Sequence, residues 1–243
     1  MFGPFLRRRN EAKAREYLER CGAMELLRTG EGSEIPPVLH DLHNLHAIVR
    51  RRRPTTILEF GTGFSTLVLA HALSLNAREA PPAGPAKAKA TLQPPPKLWS
   101  VDANERWIRN AAGKVPDSLR GFVEFHHSEV RACEVNGQLC HRYVDLPSVV
   151  PDFVYLDAPN PLDVVGEVGG LSFTLESGGP RQAAAADLIL LEPSLKGGFF
   201  MVVDGRFNNV HFLRHNLRRR YRVRVDNVNK LSTFELLEAT GRH

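Results

Sequence analysis

Four acidic residues and one glycine turn are the parts of this 243-residue chain most suited to chemistry. The turn lies in Glu59-Phe-Gly61-Thr62-Gly63-Phe-Ser65-Thr66. Glycines at 61 and 63 let backbone approach a ligand closely, and a helix starting behind them would offer unpaired N–H groups. Asp102, Asp157 and Asp204 each follow a short apolar run. An acid ending the second strand of a doubly wound sheet can accept both hydroxyls of a ribose. Asp157, His141 and His211 are the candidate proton acceptors.

These residues need a scaffold, and the patterning supplies one. Apolar spacing predicts helices over 10–29 and 38–50, the latter ending at Arg50–Arg53 and Pro54. Thr56-Ile-Leu-Glu-Phe60 then reads as a strand, and Leu67, Val68, Ala70, Leu73 and Leu75 as the following helix. Strands are expected at 98–101, 122–125, 152–156 and 198–203, with helices at 104–112, 182–192 and 206–219. Apolar strands alternating with helices imply a mostly parallel, buried sheet. Tyr221, Val223 and Val225 alternate with arginines before a turn near Asn227–Lys230, so an antiparallel hairpin closes the chain. The expected organisation is a helical cap over 1–53 and an α/β domain over 54–243. A Pro/Ala-rich stretch at 78–97 reads as a surface insertion in that domain.

The glycine turn does not match a dinucleotide fingerprint, because Thr66 stands where a third Gly or Ala belongs. A nucleotide-dependent oxidoreductase is disfavoured accordingly. An acid two places before the first Gly, with Ser65-Thr66 after the second, resembles motif I of the class I S-adenosylmethionine (SAM)-dependent methyltransferases. Asp102 lies 39 residues after Gly63, and removing the 20-residue insertion restores an interval of 19. Asp152–Asp157, Asp187–Pro193 and Gly197–Asp204 resemble later elements of the same family, in order, over about 54–240.

The resemblance implies a Rossmann-like, doubly wound seven-stranded sheet and SAM as cofactor. It places Glu59 near the methionine end, Gly61, Thr62, Gly63, Ser65 and Thr66 around the cofactor, Asp102 on the ribose and Ala103 on the adenine. Ser128 or Glu129 would meet the adenine amine, and Asp157 would lie between cofactor and acceptor. The implied activity is methyl transfer to a small-molecule acceptor, at oxygen. The N-terminal helices, the 160–180 loop and the Arg-rich helix would shape the acceptor site. A methyltransferase-fold binding module without transfer activity stays open as an alternative. Metal-dependent catechol-type relatives place two Asp and an Asn on magnesium. Asp157 and Asp204 match, but Gly205 replaces the Asn, so a metal is not favoured.

The net charge of +5 is unevenly spread. Residues 54–205 carry 12 basic and 17 acidic groups, whereas 206–224 carry seven arginines and no acid. A nucleic-acid partner through Arg206–Arg224 stays open on that ground, as does a homodimer. His40, His43 and His46 do not converge on one face well enough to share an ion. Cys133 and Cys140-His141 lack zinc spacing, and the Gly-rich 166–179 stretch reads as a lid or a surface loop. No apolar run reaches membrane-spanning length. Three scattered cysteines and no N-terminal apolar stretch make the cytoplasm the expected compartment.

Overall fold

A computed structural model describes residues 3–28, 36–79, 95–157, 159–182, 184–227 and 230–238, without the side chains of 3–9. Most of the 78–97 insertion therefore lies outside the described residues. Two compact units make up the chain: Met1–Thr55, Gly63–Leu98 and Arg109–Glu124 form one, and Thr56–Thr62, Trp99–Ile108 and Phe125–His243 the other.

The first unit is helical. The single helix expected over 10–29 is two, α1 (Gly3–Cys21) and α2 (Met24–Arg28). Gly22 separates them at φ +84, a left-handed conformation that favours glycine and ends a helix. α3 (Leu39–Arg52) follows and stops at Arg53, which is itself left-handed. α4 (Phe64–Arg78) starts directly after the glycine turn. Arg50 reaches from α3 to the Asn76 side chain and makes a forked pair with Glu79 at 2.6 and 2.7 Å.

The second unit carries the sheet, apart from the first two residues of β2 and of β3. The strands are β1 (Thr56–Phe60), β2 (Lys97–Asp102), β3 (Val123–His127), β6 (Phe153–Leu156), β8 (Phe200–Asp204), β9 (Tyr221–Asp226) and β10 (Leu231–Leu236). Their order is β3-β2-β1-β6-β8-β10-β9. β1, β6 and β8 pair in parallel, while β10 is antiparallel to both β8 and β9. Leu58, Phe60, Val154, Leu156, Met201 and Val203 are almost wholly buried, as strands covered on both faces require.

Three short strands form a second sheet in the order β5-β4-β7: β4 (Val130–Val135), β5 (Gln138–Tyr143) and β7 (Val164–Val165). The β4–β5 hairpin turns on Asn136 at φ 51 and Gly137 at φ 73, the left-handed pair that a two-residue turn needs. Its register sets Cys133 opposite Cys140, with the two sulfurs 3.4 Å apart.

Three further helices are shorter than expected or shifted, α5 (Glu105–Lys114), α7 (Asp187–Leu191) and α8 (Phe207–Asn216), and α6 (Asp117–Arg120) adds one that the apolar spacing does not predict. α8 gives way at Leu217 because Glu192 captures the chain beyond it. The carboxylate of Glu192, 4% exposed, accepts the Arg218 and Arg219 amides at 2.9–3.0 Å. Glu192→Ala leaves both amides without an acceptor and should cost roughly 2–4 kcal/mol in a urea titration.

Candidate functional site

The four acids sit at or beside the carboxyl ends of parallel strands. Glu59 is the fourth residue of β1, Asp102 ends β2, Asp157 follows β6 and Asp204 ends β8. β2 lies on one side of β1 and β6 on the other, so the chain reverses its direction of travel across the sheet there. Open α/β sheets bind ligands at such a switch point.

Glu59 and Asp102 are built into one hydrogen-bonded array. Ser100 Oγ donates to Glu59 Oε2 at 2.7 Å and lies 2.9 Å from Thr62 Oγ1. Asp102 Oδ2 accepts the Thr62 amide, and Oδ1 the Asn104 amide, each at 2.8 Å. A carboxylate has about four lone-pair sites, so acceptor capacity is left for a ligand hydroxyl. Burial pushes the Asp102 pKa up, the amides of Thr62 and Asn104 pull it down, and nearby Asp163 pushes it up again.

Gly61 lies at φ +101, and its amide donates to Val101 O at 2.8 Å. Gly61→Ala should cost roughly 1–3 kcal/mol, readable as a lower Tm, because an L side chain is strained at that φ. Gly63 is extended and needs no glycine for its backbone, but a Cβ there would meet nothing within 4 Å. The bare backbone therefore borders open space, which suits a close-lying ligand. Ser65 and Thr66 are buried in the first turn of α4, where Thr66 Oγ1 accepts the Gly63 amide at 3.0 Å.

Sheet register brings Asp157 and Asp204 together. Leu156 pairs with Val203, so the next residue of each strand stands beside the other. The two carboxyl groups are close enough for Asp204 to raise the Asp157 pKa. Asp157 keeps 42% of its side chain exposed, yet crowding and Asp204 drive its pKa upward, with Glu59 adding to the rise and Arg206 opposing it. Arg206 Nη2 stands 4.0 Å from Asp157 Oδ1, and Nη1 donates to Pro159 O at 2.6 Å.

His141 lies on β5 and is fully buried, 5.8 Å from the Phe173 ring in an edge-on contact. Burial, with a smaller contribution from Arg206, drives its pKa down to about 3, so it is neutral and a weak base. Neither ring nitrogen has a partner among the described residues. The same holds for Tyr143 Oη, Asp187 Oδ2 and Asn209 Nδ2. Backbone bonds tie these residues together: the Tyr143 amide reaches Asp187 Oδ1, the Ala185 amide reaches Asn209 Oδ1, and His141 bridges Ala185. Burial raises the Asp187 carboxyl to about 7. Four buried side chains with unsatisfied polar atoms in one neighbourhood are far from the usual pattern of an inert core.

Other expected positions do less. Ser128 is buried but holds its loop, accepting the Asp145 amide at 2.9 Å. Glu129 is exposed and paired with Arg131. Ala103 is half-buried, and its carbonyl lies 3.1 Å from His127 Nε2. His211 is exposed on α8 against His215. Within the mostly exposed 166–179 stretch, Phe173 is fully buried, and the Arg181 side chain donates to Ser172 O at 3.0 Å.

No family model matches the chain, and no curated protein matches it. Solved structures do. A candidate caffeoyl-CoA O-methyltransferase of Staphylococcus aureus aligns over 93% of this chain and 100% of its own, at 14% identity and a TM-score of 0.53. An SAH-bound methyltransferase of Podospora anserina covers 94% and 97% at 12% identity and 0.52. A candidate O-methyltransferase of Klebsiella pneumoniae covers 96% and 100%, at 12% and 0.52. The fold is that of the class I SAM-dependent methyltransferases. The switch point of that fold is where Glu59, Asp102, Asp157 and Asp204 meet.

The magnesium set of metal-dependent members does not fit well. Gly205 offers no side chain, and the Arg206 guanidinium already supplies a positive charge near Asp157. Part of the Arg-rich segment is engaged within the fold. Arg219 donates to the Glu192, Leu195 and Glu238 carbonyls, and Arg222 pairs with Glu235 at 3.0 Å. Arg222 and Arg224 lie on β9, an edge strand, where charge discourages pairing with other chains. No described helix is long and apolar enough to cross a membrane.

Proposed function

We propose that the chain is a SAM-dependent methyltransferase acting on a small-molecule acceptor at oxygen. The observation that carries this reading is the acid set at the switch point, with Asp102 held by two amides and Asp157 paired to Asp204. Asp102 would receive the ribose hydroxyls. Gly61, Thr62 and the bare Gly63 backbone would border the amino-acid end, with Glu59 facing its amine. Ala103 would touch the adenine, and Ser128 or Glu129 would meet its amine.

Bound SAM supplies a methyl group already activated on its sulfonium. What remains for the protein is alignment and proton removal. Asp157 takes the acceptor hydroxyl proton, because its raised pKa makes its ionised form a stronger base than an ordinary carboxylate. Arg206 steadies the charge left on the acceptor oxygen, in place of a divalent ion.

Calorimetry with SAH, followed by SAM turnover on a panel of catechols, phenols and carboxylic acids, tests the proposal. SAH release from SAM on a phenolic or catechol acceptor supports it. SAH binding with no turnover on any acceptor would favour a binding module, and no SAH binding would sink both.

A further inference from the structure

Cys21, His46 and His71 come from α1, α3 and α4 of the helical unit. Each brings one ligand atom to within 4.8 Å of the others. His40 and His43, the other histidines on α3, are turned to different tasks. His40 lies 3.3 Å from Asp41 Oδ1 and 3.2 Å from Asn44 Nδ2, while His43 lies tilted against the Tyr17 ring with centroids 4.3 Å apart. The cluster therefore draws on three helices, which no spacing within one helix reveals.

The local geometry suits a shared ion. His46 Nε2 and His71 Nδ1 are 3.0 Å apart. A tetrahedral zinc with Zn–N of about 2.0–2.1 Å separates two nitrogens by roughly 3.4 Å. A shift of a few tenths of an ångström and an approach by Cys21 Sγ complete three positions. His46 Nδ1 lies 2.9 Å from Tyr17 Oη. Ligating histidines use such an oxygen on the far nitrogen to fix tautomer and orientation. His46 is fully buried, whereas Cys21 and His71 are half-buried and leave an ion a way in. The turn at Gly22 passes close to His71, where a Cβ on residue 22 would lie 4.0 Å from Nε2.

We propose that Cys21, His46 and His71 form a zinc site joining α1, α3 and α4, with the fourth position open to solvent. One thiolate and two imidazoles select zinc over magnesium or calcium, which prefer oxygen. The site does not depend on the methyl-transfer reading.

The full chain, stripped with a chelator and given one equivalent of Zn²⁺, should retain one zinc through gel filtration and gain Tm. With Co²⁺ it should show tetrahedral ligand-field bands and a thiolate-to-cobalt charge-transfer band. Cys21→Ser should abolish the charge-transfer band, and Cys133→Ser should leave it. Tyr17→Phe should weaken zinc about tenfold, the lower end of the usual cost of losing an outer partner. His40→Ala should have no effect. No retained metal overturns the proposal, as does a charge-transfer band that survives Cys21→Ser or vanishes with Cys133→Ser. If a variant fails to fold, the stoichiometry and cobalt spectrum of the unaltered chain still decide. SAH calorimetry on zinc-free protein separates this outcome from the methyltransferase reading.

Discussion

Asp102→Ala should weaken SAH binding by a hundredfold or more in calorimetry. A hydrogen bond to a charged group contributes about 1.5–3 kcal/mol, and a ribose brings two hydroxyls to one carboxylate. Loss of both removes about 3–6 kcal/mol, or 10²- to 10⁴-fold in Kd. Asp102→Asn is no gentle control. An amide nitrogen in place of either oxygen would face a backbone N–H, because Oδ1 and Oδ2 already accept the Asn104 and Thr62 amides. The substitutions therefore also loosen the turn, and circular dichroism with a thermal melt must accompany the titration. A folded Asp102→Ala protein that binds SAH within threefold of the unaltered chain would remove Asp102 from the ribose.

The sequence made the sheet legible because its strands are buried on both faces and read as short apolar runs ending in acids. Asp102 could be placed once the Pro/Ala stretch was recognised as an insertion. Helix ends were less readable. Gly22 and Glu192 set two of them, the first by a backbone conformation and the second through residues 26 and 27 positions away. The β4–β5 hairpin had a local signal in Asn136-Gly137 that the apolar pattern around it did not reinforce, since its strands are half-exposed. Without that hairpin, Tyr143 and the buried setting of His141 could not be seen. Arg206 was legible only as one arginine among seven. Its place beside Asp157 depends on the backbone after β8, where Gly205 adopts φ +44.

Asp157→Asn should lower kcat on a phenolic or catechol acceptor by about 10²- to 10⁴-fold, the usual contribution of a positioned proton acceptor. SAH binding should change only severalfold. The same substitution should stabilise the fold in alkali. A carboxyl whose folded pKa is raised is protonated more readily in the native state than in the unfolded chain, so its stability contribution is complete below the unfolded value near 3.8. That contribution is lost as pH rises through the folded value, about 8 for Asp157. Asn carries no such penalty. With 42% of the side chain exposed, solvent screening cuts the gain at pH 9 to roughly 1–2 kcal/mol, about 2–8 °C in Tm for a chain of this size. The neighbours give opposite signs. Asp204→Asn removes a charge that raises Asp157, so the acid limb of the kcat/KM profile should move to lower pH. Arg206→Met removes a charge that lowers it, so the limb should move to higher pH. A structural role for Asp204 and Arg206 would depress activity at every pH and leave the limb in place. Shifts in opposite directions require Asp157 itself to be the titrating base.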